Sequence, residues 1–425
     1  MRLEWTPEMN EALPLLQTFR EHGHIAVIVG GAVRDAVLGL PVNDIDIATS
    51  ALPGETMERF PRCIATGLQH GTVTVIYRDT PYEVTTFRTE SKYENHRKPA
   101  EVTFVSSLDD DLLRRDFTMN AMAISGDGEL YDPYGGQSDL ARSVLRCVGE
   151  ADDRFQEDAL RMVRAVRFLG AYSLKPALST WRALKRHAPL LRFVAMERVF
   201  AELDKMMGSS YPERSMVWLA ASGLIHHVKE PLTDHNLNLV NGEPLVDLKR
   251  LADKDERWAA LLIALKFDEH DVNRLTSSLR LPNKRAAFLQ SMLLLHSKMS
   301  TVKSGTLSEE QRERAWVETV VQFGDGHAAH WLNIVSALPD LAEQWSSETI
   351  EKLREEISAM PVKSLKELNV GGADIQRRLQ RPPGPWLAAL LQVLLIEAAL
   401  GRVPNLKEPL LELAEIWNDE GQNDE

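Results

Sequence analysis

The sequence predicts an α+β protein in which a domain with a small sheet comes first and all-helical domains follow. Up to Val105, short apolar runs and segments of alternating apolar and polar residues lie between Gly, Pro and Asp, which is typical of strands. From Arg154 onward, apolar residues recur near helical spacing instead. With 425 residues, 44% of them hydrophobic, the chain is long enough for about two to four domains with buried cores.

Interruptions of these patterns predict the domain boundaries. The first domain closes near Val148, and residues 208–212 and 300–308 interrupt the helical part. We therefore expect a first domain over residues 1–148 and helical domains over 149–210, 211–300 and 301–425.

Several classes of protein are excluded by composition and spacing. Cys63 and Cys147 are the only cysteines and have no metal-binding spacing, which suits a reducing cytoplasm and predicts no zinc site. The first 20 residues lack the pattern of a signal peptide. Residues 386–400 are too few to span a hydrocarbon core of roughly 30 Å, so they predict a buried helix. The His-Asp pair at His270 lacks the context of an HD-type phosphohydrolase, and surface histidines are expected.

Residues 25–39 predict a phosphate-binding turn. Residues 25–29 are apolar, too few for a typical helix, and end at a Gly pair, so we expect a buried strand. Gly30 and Gly31 turn the chain into a short predicted helix over residues 32–38. The first amide groups of this helix would be open to a phosphate, with Arg34 one turn further on.

Two acidic residues follow on the next predicted strand, residues 42–48. Alternation places Asp44 and Asp46 on one face and Ile45 and Ile47 on the other. Basic residues are absent two positions away, so the acids would repel each other, and carboxylate oxygens suit Mg²⁺. A solvent-exposed strand end is the alternative, and the Gly pair upstream favours the metal site.

Three further segments bear on this site. Residues 82–88 predict a strand, in which Glu83 is either a third metal ligand or an exposed acid. Residues 89–98 are polar and precede a proline, so we expect a mobile loop. The adjacent Arg114 and Arg115 suit a triphosphate, because a guanidinium can hold two phosphate oxygens at once; a surface pair is the alternative.

A basic segment lies within an acidic chain. The formal net charge is −13, yet residues 154–192 carry nine Lys or Arg against two acids, Glu157 and Asp158. Such a segment is typical of a phosphate-binding surface.

The start of this segment, residues 154–168, predicts one helix. From Arg161, its arginines recur every three residues, so their long side chains can converge on one ligand. The arginines are Arg161, Arg164 and Arg167. A surface helix stabilised by ion pairs is the alternative.

Together these segments resemble a known family. The Gly pair with Arg34, followed by Asp44 and Asp46, resembles the motif of the polymerase-beta-type nucleotidyltransferases. The full set resembles, more narrowly, the class II tRNA CCA-adding enzymes and bacterial poly(A) polymerases, over nearly the whole chain. The set comprises Gly30, Gly31, Arg34, Asp44, Asp46, residues 83–88, Arg114, Arg115, Asp116, Glu157, Asp158, Arg161, and residues 370–374 and 384–386. Asn95, Lys98 and Met119 depart from the family pattern, which puts loop detail in question but not the reaction class.

The resemblance implies a head with a small mixed sheet, then a helical neck, body and tail, over the four ranges given above. It implies transfer of CMP and AMP from CTP and ATP to the 3′ hydroxyl of tRNA, with release of pyrophosphate. Asp44 and Asp46 would be catalytic and would hold two Mg²⁺ ions. The residues implied to bind the nucleotide are Gly31, Arg34, Arg115, Asp158, Arg161, Arg164 and Arg167. The implied partners are the acceptor stem and 3′ end of tRNA, with no membrane; homodimer formation is left open.

Asp158 and Arg161 are implied to select the base. Cytosine and adenine present an exocyclic amine beside a ring-nitrogen acceptor, whereas uracil and guanine present a carbonyl beside an N–H. A carboxylate that accepts from the amine and a guanidinium that donates to the ring nitrogen would admit C and A without a nucleic-acid template.

Related activities are the alternatives. Poly(A) polymerases of this class would show a Gly-Arg-Arg-Phe-like sequence where residues 62–71 follow the CCA-adding pattern. Enzymes that add only CC resemble the family but lack the polar loop at residues 89–98. An enzyme that adds only A shares these motifs and stays open. A non-catalytic tRNA-binding protein is disfavoured by the intact Asp44, Asp46 and Arg115.

Overall fold

One mixed sheet is followed by a long helical remainder, as predicted. The computed structural model describes residues 3–94, 98–230, 248–304, 307–338 and 345–422. The chain forms two units, Met1–Asn236 and Leu237–Glu425. All described strands lie in the first unit, and the described part of the second is helical. The predicted division into four domains is finer than these units and stays a prediction.

Among the described residues, seven strands form the main sheet and four more form two small ribbons. The strands are β1 (Ala26–Val29), β2 (Asp46–Thr49), β3 (Cys63–Gly67), β4 (Thr72–Tyr77), β5 (Thr80–Thr86), β6 (Arg88–Glu94), β7 (Lys98–Phe104), β8 (Ala123–Ser125), β9 (Leu130–Tyr131), β10 (Val144–Leu145) and β11 (Lys175–Pro176). The order in the main sheet is β3-β4-β5-β2-β1-β8-β9. Strands β2 and β5 run parallel and their neighbours antiparallel, which makes the sheet mixed.

Helices flank the sheet and continue through the rest of the first unit. They are α1 (Pro7–Glu21), α2 (Gly31–Val37), α3 (Pro53–Arg59), α4 (Leu108–Leu113), α5 (Gly136–Ala141), α6 (Ala151–Glu157), α7 (Leu160–Ala171), α8 (Leu178–His187), α9 (Met196–Met207) and α10 (Pro212–Ser222).

The second unit contains the remaining described helices. They are α11 (Lys254–Ala264), α12 (Glu269–Ser278), α13 (Asn283–Ser304), α14 (Glu309–Phe323), α15 (Asp325–Ala337), α16 (Ser347–Ala359), α17 (Gly372–Leu379), α18 (Pro385–Ala399) and α19 (Lys407–Gln422). Within the described ranges, none of these helices has the length and apolar character that crossing a membrane requires. Residues 386–400, predicted to be a buried helix, fall on α18.

The strand, turn and helix predicted for residues 25–39 are confirmed. Strand β1 is buried, Gly30 turns the chain with a φ of 74°, and α2 begins at Gly31. Strand β2 is shorter than predicted. Strand β1 ends at Val29, which pairs with Asp46, so the residues before Asp46 have no partner on β1. The predicted alternation still holds, since Ile45 and Ile47 are both buried.

The prediction of a loop over residues 89–98 is wrong for residues 89–94 and 98, which lie in strands, whereas residues 95–97 lie outside the described residues. Strands β6 and β7 pair as an antiparallel ribbon, in register from Arg88 opposite Phe104 to Glu94 opposite Lys98. The ribbon pairs with itself and not with the main sheet, so backbone hydrogen bonds suffice and a polar sequence can form it. Of the departures from the family pattern, Asn95 lies outside the described residues.

The prediction of one helix over residues 154–168 is also wrong. Helix α6 ends at Glu157, and Asp158 has extended backbone angles (φ −137°, ψ 104°) before α7 begins at Leu160. The Asp158 carboxylate accepts a hydrogen bond from the Leu160 amide at 3.1 Å, which satisfies a donor at the start of α7. Asp158 is therefore a helix-terminating residue and not one of a helical row.

A buried core fixes the elements that carry the site. Val29 and Ala48 of the central strands pack in one cluster with Phe87 and with Leu112 of α4. Because Val29 is opposite Asp46, the Gly turn and the acidic segment lie at the same end of the sheet.

Candidate active site

A cavity of about 600 Å³ in the first unit is lined by every residue that the resemblance assigns to catalysis or nucleotide binding, but not by Glu83. These residues are Gly31, Arg34, Asp44, Asp46, Arg115, Asp158, Arg161, Arg164 and Arg167. Eight basic and five acidic side chains line the cavity, so a chain with a net charge of −13 presents a basic site here. Such a cavity suits a polyanionic ligand.

The acidic side of the cavity forms where β2 begins. Asp46 lies beside Glu83 on the parallel strand β5, and Asp44 precedes the strand. Burial, followed by the negative charges of Glu83 and Asp44, raises the pKa of Asp46 from 3.8 to about 6, although Arg115 acts in the opposite direction. A divalent cation would relieve this repulsion, so the residues fit a metal site.

Gly30 lets a guanidinium approach the acids. A Cβ atom at Gly30 would lie 3.2 Å from Nη1 of Arg115 and 3.7 Å from Oδ2 of Asp46, and the positive φ disfavours other residues there. Gly30 is thus needed both for the turn and for the close approach of Arg115 to Asp46.

The two adjacent arginines are anchored and not a surface pair. Arg114 and Arg115 donate to opposite oxygens of the fully buried Asp111, at 2.7 and 3.1 Å. Among the described residues, the buried Nε of Arg115 has no hydrogen-bond partner. Arg115 therefore retains a donor for a ligand at the edge of the acidic site.

Each nitrogen of the Arg34 guanidinium donates a hydrogen bond. Its Nε and Nη2 donate to the two oxygens of Asp35 at 2.9 and 2.8 Å, and its Nη1 donates to Oδ1 of Asn120 at 2.8 Å. The guanidinium also lies 4.5 Å from the ring centroid of Tyr172, whose hydroxyl donates to Asp35 at 3.1 Å. Arg34 is buried and fixed in position before any ligand binds.

The arginines of α7 turn into the cavity, as predicted, and each has an anchoring partner. Arg164 donates to Asp116 at 2.8 Å and Arg167 to Glu202 at 2.7 Å. Burial favours the neutral acid, but the Arg164 charge and a hydrogen bond from Asn120 outweigh it and lower the pKa of Asp116 to about 2. Arg161 donates to the carbonyl of Arg114 at 2.9 Å and is only 9% exposed, which contradicts the alternative of a surface helix.

Asp158 pairs with a residue that the sequence analysis missed. Arg198 of α9 donates to both of its carboxylate oxygens, at 3.3 and 2.8 Å. Lys205 of the same helix also lines the cavity. The other missed contributors to the site are Asp35, Asp111, Asn120, Phe168, Tyr172 and Glu202. These residues lie far from their partners in sequence or within helices. The only indication of them was indirect, since arginines that become buried require acidic or aromatic partners.

One acidic group outside the cavity has a structural explanation. Side-chain atoms of Asp268, His270 and Asp271 lie close enough together to hold a metal ion. However, Asp268 accepts from the amide of Asp271 at 2.8 Å, and Asp271 from that of Asp268 at 3.3 Å. The two carboxylates cap the first turn of α12.

Family profiles match three parts of the chain. A profile described as "Poly A polymerase head domain" matches residues 26–146. A profile for domain 2 of tRNA nucleotidyltransferases matches residues 249–414, and one for an RNA- and SrmB-binding segment of polymerase A matches residues 174–236.

Individual proteins match over nearly the full length. The CCA-adding enzyme of Geobacillus stearothermophilus is 38% identical over 408 residues, which cover 95% of each chain. The crystal structure of the Bacillus stearothermophilus CCA-adding enzyme in complex with CTP is 34% identical, with a TM-score of 0.85 over 99% of this chain and 100% of that chain. The Thermotoga maritima enzyme complexed with tRNA, 20% identical, shares the fold with a TM-score of 0.63 over 97% and 96% of the two chains. Sequence, fold and site together place this chain in the family of CCA-adding enzymes, which are tRNA nucleotidyltransferases.

Proposed function

We propose that the protein adds C, C and A, in that order, to the 3′ end of tRNA, using CTP and ATP. The observation that carries this proposal is that a single cavity is lined by Asp44 and Asp46, by an arginine cluster, and by Asp158 and Arg161, to which we assign base selection. Family membership supports the reaction class. The retained acids disfavour a non-catalytic tRNA-binding protein.

The reaction forms one bond and breaks another at the α-phosphorus of the nucleotide. The 3′ oxygen of tRNA bonds to this phosphorus, the bond to the leaving oxygen breaks, and pyrophosphate departs while the hydroxyl proton is lost to water. Catalysis of such a transfer depends on positioning and on neutralising charge. Both are properties of this cavity.

Asp44 and Asp46 would hold two Mg²⁺ ions, with Glu83 as a further candidate ligand. Enzymes of this family normally use a divalent metal. The raised pKa of Asp46 supports the site, because burial and then the charges of Glu83 and Asp44 act against the charged carboxylate and Arg115 offsets only part of this. When bound, the ions would lower the pKa of the attacking hydroxyl and neutralise the triphosphate.

The triphosphate would lie between the Gly turn and the neighbouring arginines. Gly31 offers a backbone amide at the start of α2, and Arg34 and Arg115 supply guanidinium groups. The unpartnered Nε of Arg115 supports this assignment, because a buried donor without an acceptor is costly until a ligand supplies one.

The base would be read by Asp158 and Arg161, with Arg164 and Arg167 binding other parts of the nucleotide. Arg198 donates to both oxygens of the Asp158 carboxylate, which fixes its orientation. A carboxylate has further lone pairs, so Asp158 can still accept from the exocyclic amine of cytosine or adenine.

The remaining assignments follow from the resemblance. We infer a catalytic head (residues 1–148), a base-recognising neck (149–210), and a body and tail (211–300 and 301–425) that contact tRNA. The acceptor stem and 3′ end would reach the cavity, and the protein would act in the cytoplasm. Homodimer formation remains one of the oligomeric states to be measured.

The metal assignment is tested by Asp44→Ala and Asp46→Ala. Each variant should lose transfer of CMP from labelled CTP to tRNA and retain tRNA binding within a few-fold, because the acids hold metal and basic residues hold RNA. Asp127→Ala is the control, since Asp127 is an exposed acid of the first unit paired with Arg20. Transfer near the wild-type rate in either variant would refute the two-metal assignment.

A further inference from the structure

We propose that Phe168 is a positioning residue for the transfer reaction: its ring sets the spacing of three nucleotide-binding arginines through cation–π contacts. The proposal rests on the proposed function of the cavity. Phe168 lines that cavity on α7 and is almost fully buried, and the sequence offers no separate sign of a role for it.

Three guanidinium groups surround this one ring. The Cζ atoms of Arg167, Arg164 and Arg34 lie 4.1, 5.4 and 5.5 Å from its centroid. The face of an aromatic ring carries negative potential and attracts cations within about 6 Å, most strongly where water is excluded. The ring thus offsets part of the mutual repulsion of three positive charges.

Each of these arginines is also held by a carboxylate. Arg34 pairs with Asp35, Arg164 with Asp116 and Arg167 with Glu202. An ion pair fixes one edge of a guanidinium, and the ring supplies a second contact for the same group. Among the described residues, the terminal nitrogens of Arg167 have no hydrogen-bond partner, so they are positioned yet available to a ligand.

The ring itself is fixed by its neighbours. Phe117 packs edge-on against it at a centroid distance of 5.7 Å and an interplanar angle of 82°. Tyr172, which directly follows the end of α7, lies 6.0 Å away and also stacks on Arg34. The Phe168 ring therefore contacts Arg34 of α2 as well as Arg164 and Arg167 of α7. These arginines are assigned to different parts of the nucleotide.

The test weakens the negative potential on the face of the Phe168 ring and keeps the shape of the ring. Mono-, di- and trifluorophenylalanine are introduced at position 168 alone, because fluorine weakens the negative face with little change in size. We expect the Kd for CTP, measured by equilibrium dialysis without tRNA, to rise stepwise by about three- to tenfold across the series. The KM for CTP in addition should rise similarly while kcat changes less, since the contacts serve nucleotide binding.

The matched control is the same series at Phe155, which is fully buried and has no cation over its ring among the described residues. That series should leave the Kd unchanged. A flat Kd across the series at position 168, or an equal rise at position 155, overturns the proposal. Phe168→Leu keeps an apolar side chain without a ring and should weaken CTP binding at least as much as the trifluoro variant; wild-type CTP binding in Phe168→Leu also overturns it. Failure of the unmodified protein to extend tRNA would refute the proposed function instead.

Discussion

Asp46 shows how a proposed metal ligand can act against stability at a single residue. The folded protein holds this carboxylate next to Glu83 and Asp44 and away from water, which raises its pKa to about 6. An acid with a raised pKa favours the folded state only while it is protonated. That contribution is complete below the ordinary pKa of 3.8 and is lost as the pH rises through about 6.

We therefore predict that Asp46→Asn stabilises the metal-free protein at pH 7.5. The rise in the Asp46 pKa from 3.8 to about 6 sets an upper limit of about 3 kcal/mol, and we expect a gain of about 1–3 kcal/mol. Thermal unfolding in EDTA measures it, and the gap between variant and parent should narrow as the pH falls from 7 toward 5. Asp44→Asn is the control and should gain less, because Asp44 is exposed. An Asp46→Asn protein less stable than the parent at pH 7.5 would contradict this account.

Asp158 carries the second prediction at this scale. Asp158→Ala should loosen the exclusion of UTP and GTP, because the acceptor that repels their carbonyl groups is gone, and the overall rate should fall as well. Misincorporation into tRNA is the readout, with Asp127→Ala as the control. If the variant excludes UTP and GTP as well as the parent does, base selection lies with other residues.

The residues that line the cavity in proposed chemical roles were predictable from the sequence, whereas their partners were not. Gly31, Arg34, Asp44 and Asp46 lie within 16 residues and form a recognisable pattern. Arg198 and Glu202 reach Asp158 and Arg167 from 40 and 35 positions away. Such contacts arise only when α9 packs against α7, and a single sequence gives no sign of that packing.

At the scale of secondary-structure elements, two local structures were not predicted from the sequence, each for its own reason. The ribbon of β6 and β7 pairs with itself and not with the main sheet, and its sequence lacks the alternation that marks a strand. The break between α6 and α7 occurs without Gly or Pro, and depends instead on the Asp158 side chain satisfying the Leu160 amide. Propensity and periodicity report neither arrangement.

The close packing of α7 on α10 gives a prediction for an element. A Cβ atom at Gly170 would lie 2.2–2.5 Å from atoms of Ser215, including its backbone nitrogen at 2.4 Å, so the helices must separate. Gly170→Ala should therefore cost at least about 2 kcal/mol and weaken CTP binding, because α7 carries three arginines of the site.

Gly326→Ala is the matched control, since Gly326 is also helical and a Cβ there would meet nothing within 4 Å. It should leave stability unchanged or raise it by up to about 1 kcal/mol. Denaturant midpoints and equilibrium dialysis measure both variants. Equal stability of Gly170→Ala and the parent would show that this helix contact is not tight.

At the scale of the whole molecule, charge is segregated. The chain is acidic overall, yet it concentrates eight basic side chains around a cavity with five acids. Net charge alone argues against binding a nucleic acid, and the local distribution outweighs it. The α+β fold was predictable at this scale because strands and helices occupy different parts of the sequence.

The central claim is that this one cavity directs the addition of C, C and A, and that addition ends after the A. The most direct measurement supplies purified protein with a tRNA that lacks its last three nucleotides, with CTP, ATP or both, and sequences the 3′ ends. The account predicts ends at CC with CTP alone and at CCA with both nucleotides. Ends at CC with both nucleotides present, long A tracts, or no use of CTP would contradict it.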